Sequence, residues 1–145
     1  SQGDFGNRAR RLCVNELGDF ADKAGVAIYY ISDRFGEPEN KAATIATLKE
    51  LGFPQVSDET VLLYGTSKAE RRAVVSKDHK IVLLLGDTLH DFDGVFRKAP
   101  TDVKRAEVDK NAAHFGADWI VFPNATYGDW STAPLTAWDA ELVVK

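Results

Sequence analysis

The sequence predicts an α/β domain in which a three-layer, Rossmann-like parallel sheet carries helices on both faces. Three observations lead to this fold class. Short apolar segments alternate with segments of helical apolar spacing, polar clusters follow the apolar segments, and 145 residues with 44% hydrophobic residues suffice for one ordinary domain. Helices between buried strands favour a parallel sheet that is covered on both sides.

Four apolar segments are predicted to be strands. Each is short, contains β-branched or aromatic residues and is bounded by turn formers, as is typical of buried strands. The longest uninterrupted apolar run, residues 81–85, is far too short to span a bilayer. The predicted strands are residues 26–31, 60–64, 80–85 and 117–122.

Helices are predicted wherever apolar residues recur on one helical face. Pro38 suits the first position of a helix, and Gly25 and Gly52 are typical of helix ends. The turn at residues 65–67 is predicted to cap the helix that starts at Lys68. The predicted helices are residues 12–24, 38–51, 68–76, 102–115 and 135–143, and residues 123–134 are rich in turn formers.

Bulk properties argue against several classes of function. The net charge of −4 argues against a nucleic-acid partner, which normally requires a basic patch. The single cysteine, Cys13, allows no intrachain disulfide and is interpreted as a small buried hydrophobic residue. The three histidines are scattered, so no zinc site is predicted.

Polar residues follow the predicted strands at the edge where parallel α/β sheets bind ligands. Ser32, Asp33 and Arg34 come after the first strand, Asp87 after the third, and Asn124 after the fourth. This arrangement predicts a site for a small, charged ligand.

The most specific of these clusters begins at Gly86 and Asp87, with Asp91 four residues later. Two carboxylates at a strand end suit magnesium, which binds through one or two carboxylates and keeps several waters. Gly86 allows the backbone to turn sharply there. The alternative is an N-cap aspartate followed by a solvated Asp91, and the motif alone leaves both interpretations open.

Three further side chains are candidates for contacting a phosphate. The Ser32 hydroxyl can hold a phosphate at a strand end, and Arg34 can pair with a phosphate or face water. Lys68 can neutralise a phosphate as a point charge. An ordinary turn serine and a surface lysine are the alternatives, and Arg71 and Arg72 are interpreted as a solvated face or as salt-bridge partners.

The order of these motifs resembles that of the haloacid-dehalogenase superfamily phosphatases: a serine, then a lysine at a helix start, then Gly-Asp-x-x-x-Asp. More closely, the chain resembles the class C acid phosphatases, the bacterial lipoprotein acid phosphatase and 5′-nucleotidase group. The resemblance covers Leu17 to Trp130 and includes a Pro-Asn-x-x-Tyr-Gly-x-Trp segment. The matching segments are residues 28–34, 47–53, 68–72, 85–92 and 123–130.

The resemblance implies a magnesium-dependent phosphomonoesterase that hydrolyses nucleotides or small aryl and alkyl phosphates through an aspartyl-phosphate. Ser32 would hydrogen-bond the transferring phosphoryl group, and Lys68 would balance its charge. Asp87 would ligate Mg²⁺, while Asp91 would complete the metal site and orient metal-bound water. Tyr127 would stack on the base or ring of the substrate.

The superfamily's nucleophile motif, Asp-x-Asp-x-Thr, does not occur in these 145 residues. Residues 1–16 are therefore expected to be a polar arm and the start of the first helix, and residues 17–145 a phosphatase core without its first strand and cap. Three explanations stay open: a fragment of a longer phosphatase, a chain completed by a second chain that supplies the nucleophile, or an inactive phosphate- or metal-binding module.

The resemblance also carries expectations about location and partners. The expected partner is a small phosphomonoester rather than a nucleic acid. An exported protein of the bacterial periplasm or outer membrane is expected, with a lipid anchor outside this chain as its only membrane contact. A response-regulator-like signalling domain is a further alternative, although the Pro-Asn-x-x-Tyr-Gly-x-Trp segment argues against it.

Overall fold

The computed structural model describes residues 14–124. The chain divides into a first compact unit, Ser1–Val82, and a second, Leu83–Lys145. The predicted arm, Cys13, Tyr127 and the predicted last helix lie outside the described residues. No helix within residues 14–124 combines the length and the apolar character that crossing a membrane requires.

The first unit alternates helices and parallel strands, as predicted. Strands β1 and β2 pair in parallel, with Tyr30 opposite Val61 and Phe35 opposite Tyr64. The register shifts between Ile31 and Phe35, so the intervening residues leave the regular ladder. The elements are α1 (residues 14–23), β1 (Tyr30–Phe35), α2 (Pro38–Glu50), β2 (Val61–Tyr64) and α3 (Lys68–Val75).

The core of the first unit lies around β2. Val56, Val61 and Leu63 are its buried residues, and α2 contributes Ile45 and Leu48 to the surrounding layer. A helix that faces a strand pair in this way buries its apolar stripe against the sheet. The predicted packing of α2 on the sheet is therefore confirmed.

The predicted starts of α2 and α3 are confirmed, and the predicted start of the first helix at residue 12 lies outside the described residues. α2 begins at Pro38, and Gly52 follows its end with φ +79°. The Ser67 hydroxyl accepts from the Glu70 N–H at 3.2 Å, and the Glu70 carboxylate accepts from the Ser67 N–H at 2.7 Å. This reciprocal capping box satisfies two donors that α3 would otherwise leave unpaired, and it fixes Lys68 as the first helical residue.

The second unit contains a parallel strand pair and a helix. Leu84 pairs with Trp119 and Gly86 with Val121. Phe92, Phe96 and Trp119 are buried and form its core, with the Phe92 and Trp119 rings stacked at 5.5 Å. The elements are β3 (Leu84–Gly86), two short 3₁₀ turns (Leu89–Asp91 and Gly94–Phe96), α4 (Thr101–Lys110) and β4 (Trp119–Val121).

The first strand starts later than predicted. Residues 26–29 are not in a strand, and the Gln55 side chain binds two of their backbone groups. Its carbonyl oxygen accepts from the Ile28 N–H at 2.9 Å, and its amide donates to the Val26 carbonyl at 3.0 Å. Pairing with β2 therefore begins only at Tyr30, whose N–H donates to the Thr60 carbonyl at 2.8 Å.

Three elements of the second unit are also shorter than predicted, the first of them β4, which spans residues 119–121 rather than 117–122. Residues 80–83 lie outside β3, since β4 offers only three residues for pairing. α4 ends at Lys110 rather than at residue 115. Just after Lys110, the Asn111 side chain donates to the Glu107 carbonyl at 2.8 Å. The chain then turns at His114, whose carbonyl accepts three N–H groups from residues 117–119.

Candidate active site

Ser32 lies within β1 and not after it, contrary to the prediction. The strand continues because Phe35 still pairs with Tyr64 beyond the register shift. Inside the shifted segment, the Ser32 hydroxyl accepts from the Arg34 N–H at 3.3 Å. Ser32 is half-buried, whereas Arg34 is exposed. The candidate phosphate-binding residues of β1 thus occupy an irregular strand end.

The buried side chain of Arg71, on α3, contacts this end of β1. It is only 5% exposed, so the predicted solvated face is wrong for this residue and the salt-bridge alternative is the one observed. Its guanidinium donates to the Ser32 carbonyl at 2.6 Å, to the Leu62 carbonyl at 3.1 Å and to Asp33 Oδ1 at 2.5 Å. The sequence reasoning missed this role, although the buried Val75 four residues later indicates that Arg71 is on the inward face of α3.

Lys68 is the first residue of α3 and is half-buried. α3 packs against β1, so Lys68 and Ser32 belong to neighbouring elements of the first unit. The positive end of the helix dipole lies at the same end of α3 as the Lys68 charge. The first unit therefore combines a hydroxyl and a cation of the kinds that bind phosphate.

The acidic motif of the second unit forms a capped loop. β3 ends at Gly86 and Asp87 follows directly, as predicted. The N–H groups of Asp87 and Thr88 both donate to Asp91 Oδ2 at 3.0 Å. Asp91 is therefore not a solvated carboxylate. It fixes the backbone that presents Asp87.

Gly86 is required by the same loop. A Cβ at this position would lie 2.4 Å from Asp91 Cβ and 2.6 Å from Asp91 Oδ2. Real Cβ atoms do not approach other heavy atoms so closely, so any larger residue would displace the Asp91 carboxylate. The close backbone approach, rather than an unusual φ, explains the glycine.

The donor set of this loop fits Mg²⁺. Asp87 and Asp91 supply carboxylate oxygens, and this ion takes one or two carboxylates and completes its octahedron with water and substrate oxygens. Asp91 Oδ2 already accepts from two backbone N–H groups. Within residues 14–124, no group of three or more acidic, histidine or cysteine side chains is arranged to hold a metal.

The candidate residues divide between the two units. Ser32, Arg34 and Lys68 belong to the first unit, and Asp87 and Asp91 to the second. Tyr127 lies outside the described residues, so its stacking role stays a prediction.

A shallow groove of about 610 Å³ runs along α2, apart from the candidate residues. Its lining includes Ile45, Lys41 and Lys49. Lys41 pairs with Asp58 at 3.1 Å, which offsets its charge. None of the candidate catalytic residues lines this groove.

Comparison with known proteins agrees with the motif order. The family model described as HAD superfamily, subfamily IIIB (acid phosphatase), matches residues 10–130. The structure of the class C acid phosphatase from Bacillus anthracis is 39% identical to the chain, with a TM-score of 0.74 over 88% of this chain and 55% of that one. The crystal structure of a class C acid phosphatase from the same organism with tungstate bound gives a TM-score of 0.73 at the same identity and coverage.

The chain thus spans about half the length of the solved structures that it matches. The predicted resemblance to class C acid phosphatases and the predicted α/β fold class are confirmed. The response-regulator-like alternative is wrong, because the family match covers most of the chain.

Proposed function

Since the chain belongs to the acid phosphatases of HAD subfamily IIIB, we propose that it carries the phosphate- and magnesium-binding residues of a phosphomonoesterase. The observation that carries the proposal is the loop in which Asp91 caps two backbone N–H groups beside Asp87. A carboxylate held in place by its own loop is pre-organised for a divalent cation. The proposed substrates are nucleotides or small aryl and alkyl phosphates.

Phosphate binding is proposed for the first unit. The Ser32 hydroxyl would donate to a phosphoryl oxygen, while Lys68 and Arg34 would offset its negative charge. Catalysis of phosphoryl transfer rests mainly on positioning and on electrostatic stabilisation, so groups of this kind are the ones that the reaction needs. The related Bacillus anthracis structure has tungstate bound, a tetrahedral oxyanion that resembles phosphate in shape and charge.

Metal binding is proposed for the second unit. Asp87 would ligate Mg²⁺, and Asp91 would hold the Asp87 backbone and orient metal-bound water. When bound, the ion supplies positive charge that offsets the charge of a transferring phosphoryl group. Asp91 would thereby serve both the metal site and the loop that carries it.

The nucleophile is proposed to come from outside these 145 residues, from a further segment of the protein or from a second chain. Its carboxylate oxygen would bond to phosphorus as the ester P–O bond breaks, and the leaving oxygen would take a proton. Water would then hydrolyse the aspartyl-phosphate. Asp33 is a poor replacement, because Arg71 holds its carboxylate at 2.5 Å.

The second candidate function is an inactive phosphate- or metal-binding module of the same fold. The missing Asp-x-Asp-x-Thr sequence favours it, since the remaining groups can bind a phosphate without cleaving it. Binding of phosphate or of a metal is common to both candidates. Turnover in a protein that includes the nucleophile separates them.

The test is calorimetric titration of the chain with MgCl₂, with and without inorganic phosphate. We expect Asp91→Asn to weaken Mg²⁺ binding about tenfold, as is typical of groups that orient a metal ligand, and Asp87→Asn to weaken it more. Asp109→Asn, the same substitution at an exposed position of α4, is the control. Equal affinities in the Asp87 and Asp109 variants would remove the proposed metal site.

A further inference from the structure

The buried guanidinium of Arg71 joins three elements of the first unit. It lies on α3, three residues after Lys68, and it donates to Ser32 and Asp33 of β1 and to Leu62 of β2. Its Nε also donates to the carbonyl of the helix cap, Ser67, at 3.4 Å. The partners come from positions up to 39 residues away.

These contacts depend on the shape of the Arg71 guanidinium as well as on its positive charge. A guanidinium is a planar fork with fixed donor directions, so several simultaneous acceptors are held in a fixed arrangement around it. A lysine at position 71 would keep the charge but would provide one nitrogen on a flexible stem. At 5% exposure, water cannot readily replace the lost donors.

Arg71 contacts Ser32 at the point where the pairing of β1 with β2 is irregular. The β1–β2 register shifts between Ile31 and Phe35, and the Ser32 carbonyl lies inside this shifted segment. Arg71 donates to that carbonyl at 2.6 Å, in the segment where regular strand pairing is interrupted. The direction of the Ser32 side chain follows from its backbone, and Arg71 holds this backbone.

We propose that Arg71 is a positioning residue, which sets Ser32 of β1 relative to Lys68 of α3 without touching the phosphate itself. The inference rests on the proposed phosphate-binding role of Ser32 and Lys68. It predicts that loss of the fork geometry impairs phosphate binding even when the fold and the positive charge are kept.

The experiment compares Arg71→Lys with two control variants of the same chain. Val75→Ala removes buried packing from the same helix without altering the Ser32 contact, and Arg105→Lys repeats the substitution at an exposed position of α4. Inorganic phosphate affinity is measured by ³¹P NMR titration, and Tm by circular dichroism. We expect Arg71→Lys to raise the Kd for phosphate about tenfold, below the roughly hundredfold loss of rate that a 1 Å misplacement of catalytic groups can cause.

A merely structural role predicts a different result. In that case the loss of affinity would follow the loss of Tm, so Val75→Ala would weaken phosphate binding as much as Arg71→Lys at an equal drop in Tm. That outcome overturns the inference, as does an unchanged Kd in Arg71→Lys. A Kd within twofold of wild type in Val75→Ala and Arg105→Lys supports it.

A second readout separates this inference from the proposed function. If the wild-type chain binds no phosphate, the proposed role of Ser32 and Lys68 fails. Backbone NMR then decides the positional claim: Arg71→Lys should shift the amide resonances of residues 32–34 and leave those of Tyr30 and Ile31 near their wild-type values. Unchanged resonances at residues 32–34 would refute it.

Discussion

A single close contact explains the spacing of the most specific motif in the sequence. Asp91 can accept from the Asp87 and Thr88 N–H groups only because position 86 has no side chain. The pattern Gly-Asp-x-x-x-Asp is therefore a requirement of the loop as well as of the proposed metal site. The sequence predicted a metal pair, whereas the capping of the loop by Asp91 is seen only in the structure.

Gly86→Ala tests this requirement. The new Cβ would force the Asp91 carboxylate away, and we expect a loss of about 1–3 kcal/mol in the free energy of unfolding, which is typical of overpacking. Gly65→Ala is the matched control, since a Cβ there has no heavy atom within 4 Å, and its effect should stay within about 0.5 kcal/mol. Urea unfolding followed by circular dichroism measures both, and equal effects would contradict the steric explanation.

At the scale of elements, strand β1 is anchored at its first residue. The Tyr30 hydroxyl donates to the Pro54 carbonyl at 2.5 Å, and its ring packs edge-on against Phe53 at 5.8 Å. Burial, with a smaller contribution from the Asp22 carboxylate, raises the pKa of Tyr30 to about 12. The folded state therefore retains the phenolic proton more strongly than the unfolded chain does.

The raised pKa of Tyr30 makes the stability of the first unit fall at alkaline pH. The folded pKa lies above the ordinary value of 10.0, so the stabilisation is complete below pH 10 and is lost as pH rises towards 12. We expect Tyr30→Phe to lower Tm at pH 7, because the hydrogen bond to Pro54 is gone, and to reduce the fall in Tm above pH 10. Thermal melts of both proteins from pH 7 to 11.5 measure the difference. Parallel Tm curves would show that Tyr30 does not control this loss.

Local signals predicted the starts of α2 and α3, whereas distant partners account for the late start of β1 and for the missed role of Arg71. The starts of α2 and α3 follow from Pro38 and from the capping residue Ser67, both adjacent in sequence to the helix that they begin. The start of β1 depends on Gln55, 27 residues from the backbone group that it occupies. No local pattern contains that contact, and the acceptors of Arg71 were hidden for the same reason.

At the scale of the whole molecule, each sheet has only two strands among the described residues. Each strand therefore has one partner strand among residues 14–124, and two-stranded sheets are marginal by themselves. Apolar side chains at the strand ends are exposed as well, among them Phe35 at 63% and Tyr64 at 43%. These surfaces agree with a chain that spans 55% of its structural relative.

The proposed roles of the two units, with a nucleophile from outside the chain, predict the activity of the chain alone. We expect the purified 145 residues to hydrolyse p-nitrophenyl phosphate no faster than the buffer, because the groups identified here position and neutralise but do not attack. A longer protein that includes an Asp-x-Asp-x-Thr segment should show magnesium-dependent turnover, and Asp87→Asn should abolish it. Turnover by the pure chain would contradict the proposal, and Asp33→Asn would then be the first variant to examine.

The Arg71 fork also has a consequence for the order of folding. A guanidinium gains from leaving water only when its acceptors are already assembled, and those on β1 and β2 become neighbours only after the strands have paired. We therefore expect this contact to form after the rate-limiting step, with a φ-value near 0. Stopped-flow measurements on Arg71→Lys should show faster unfolding at a nearly unchanged refolding rate. Arg71, which orders the end of β1, would then form its contacts late in folding and slow the unfolding of the first unit.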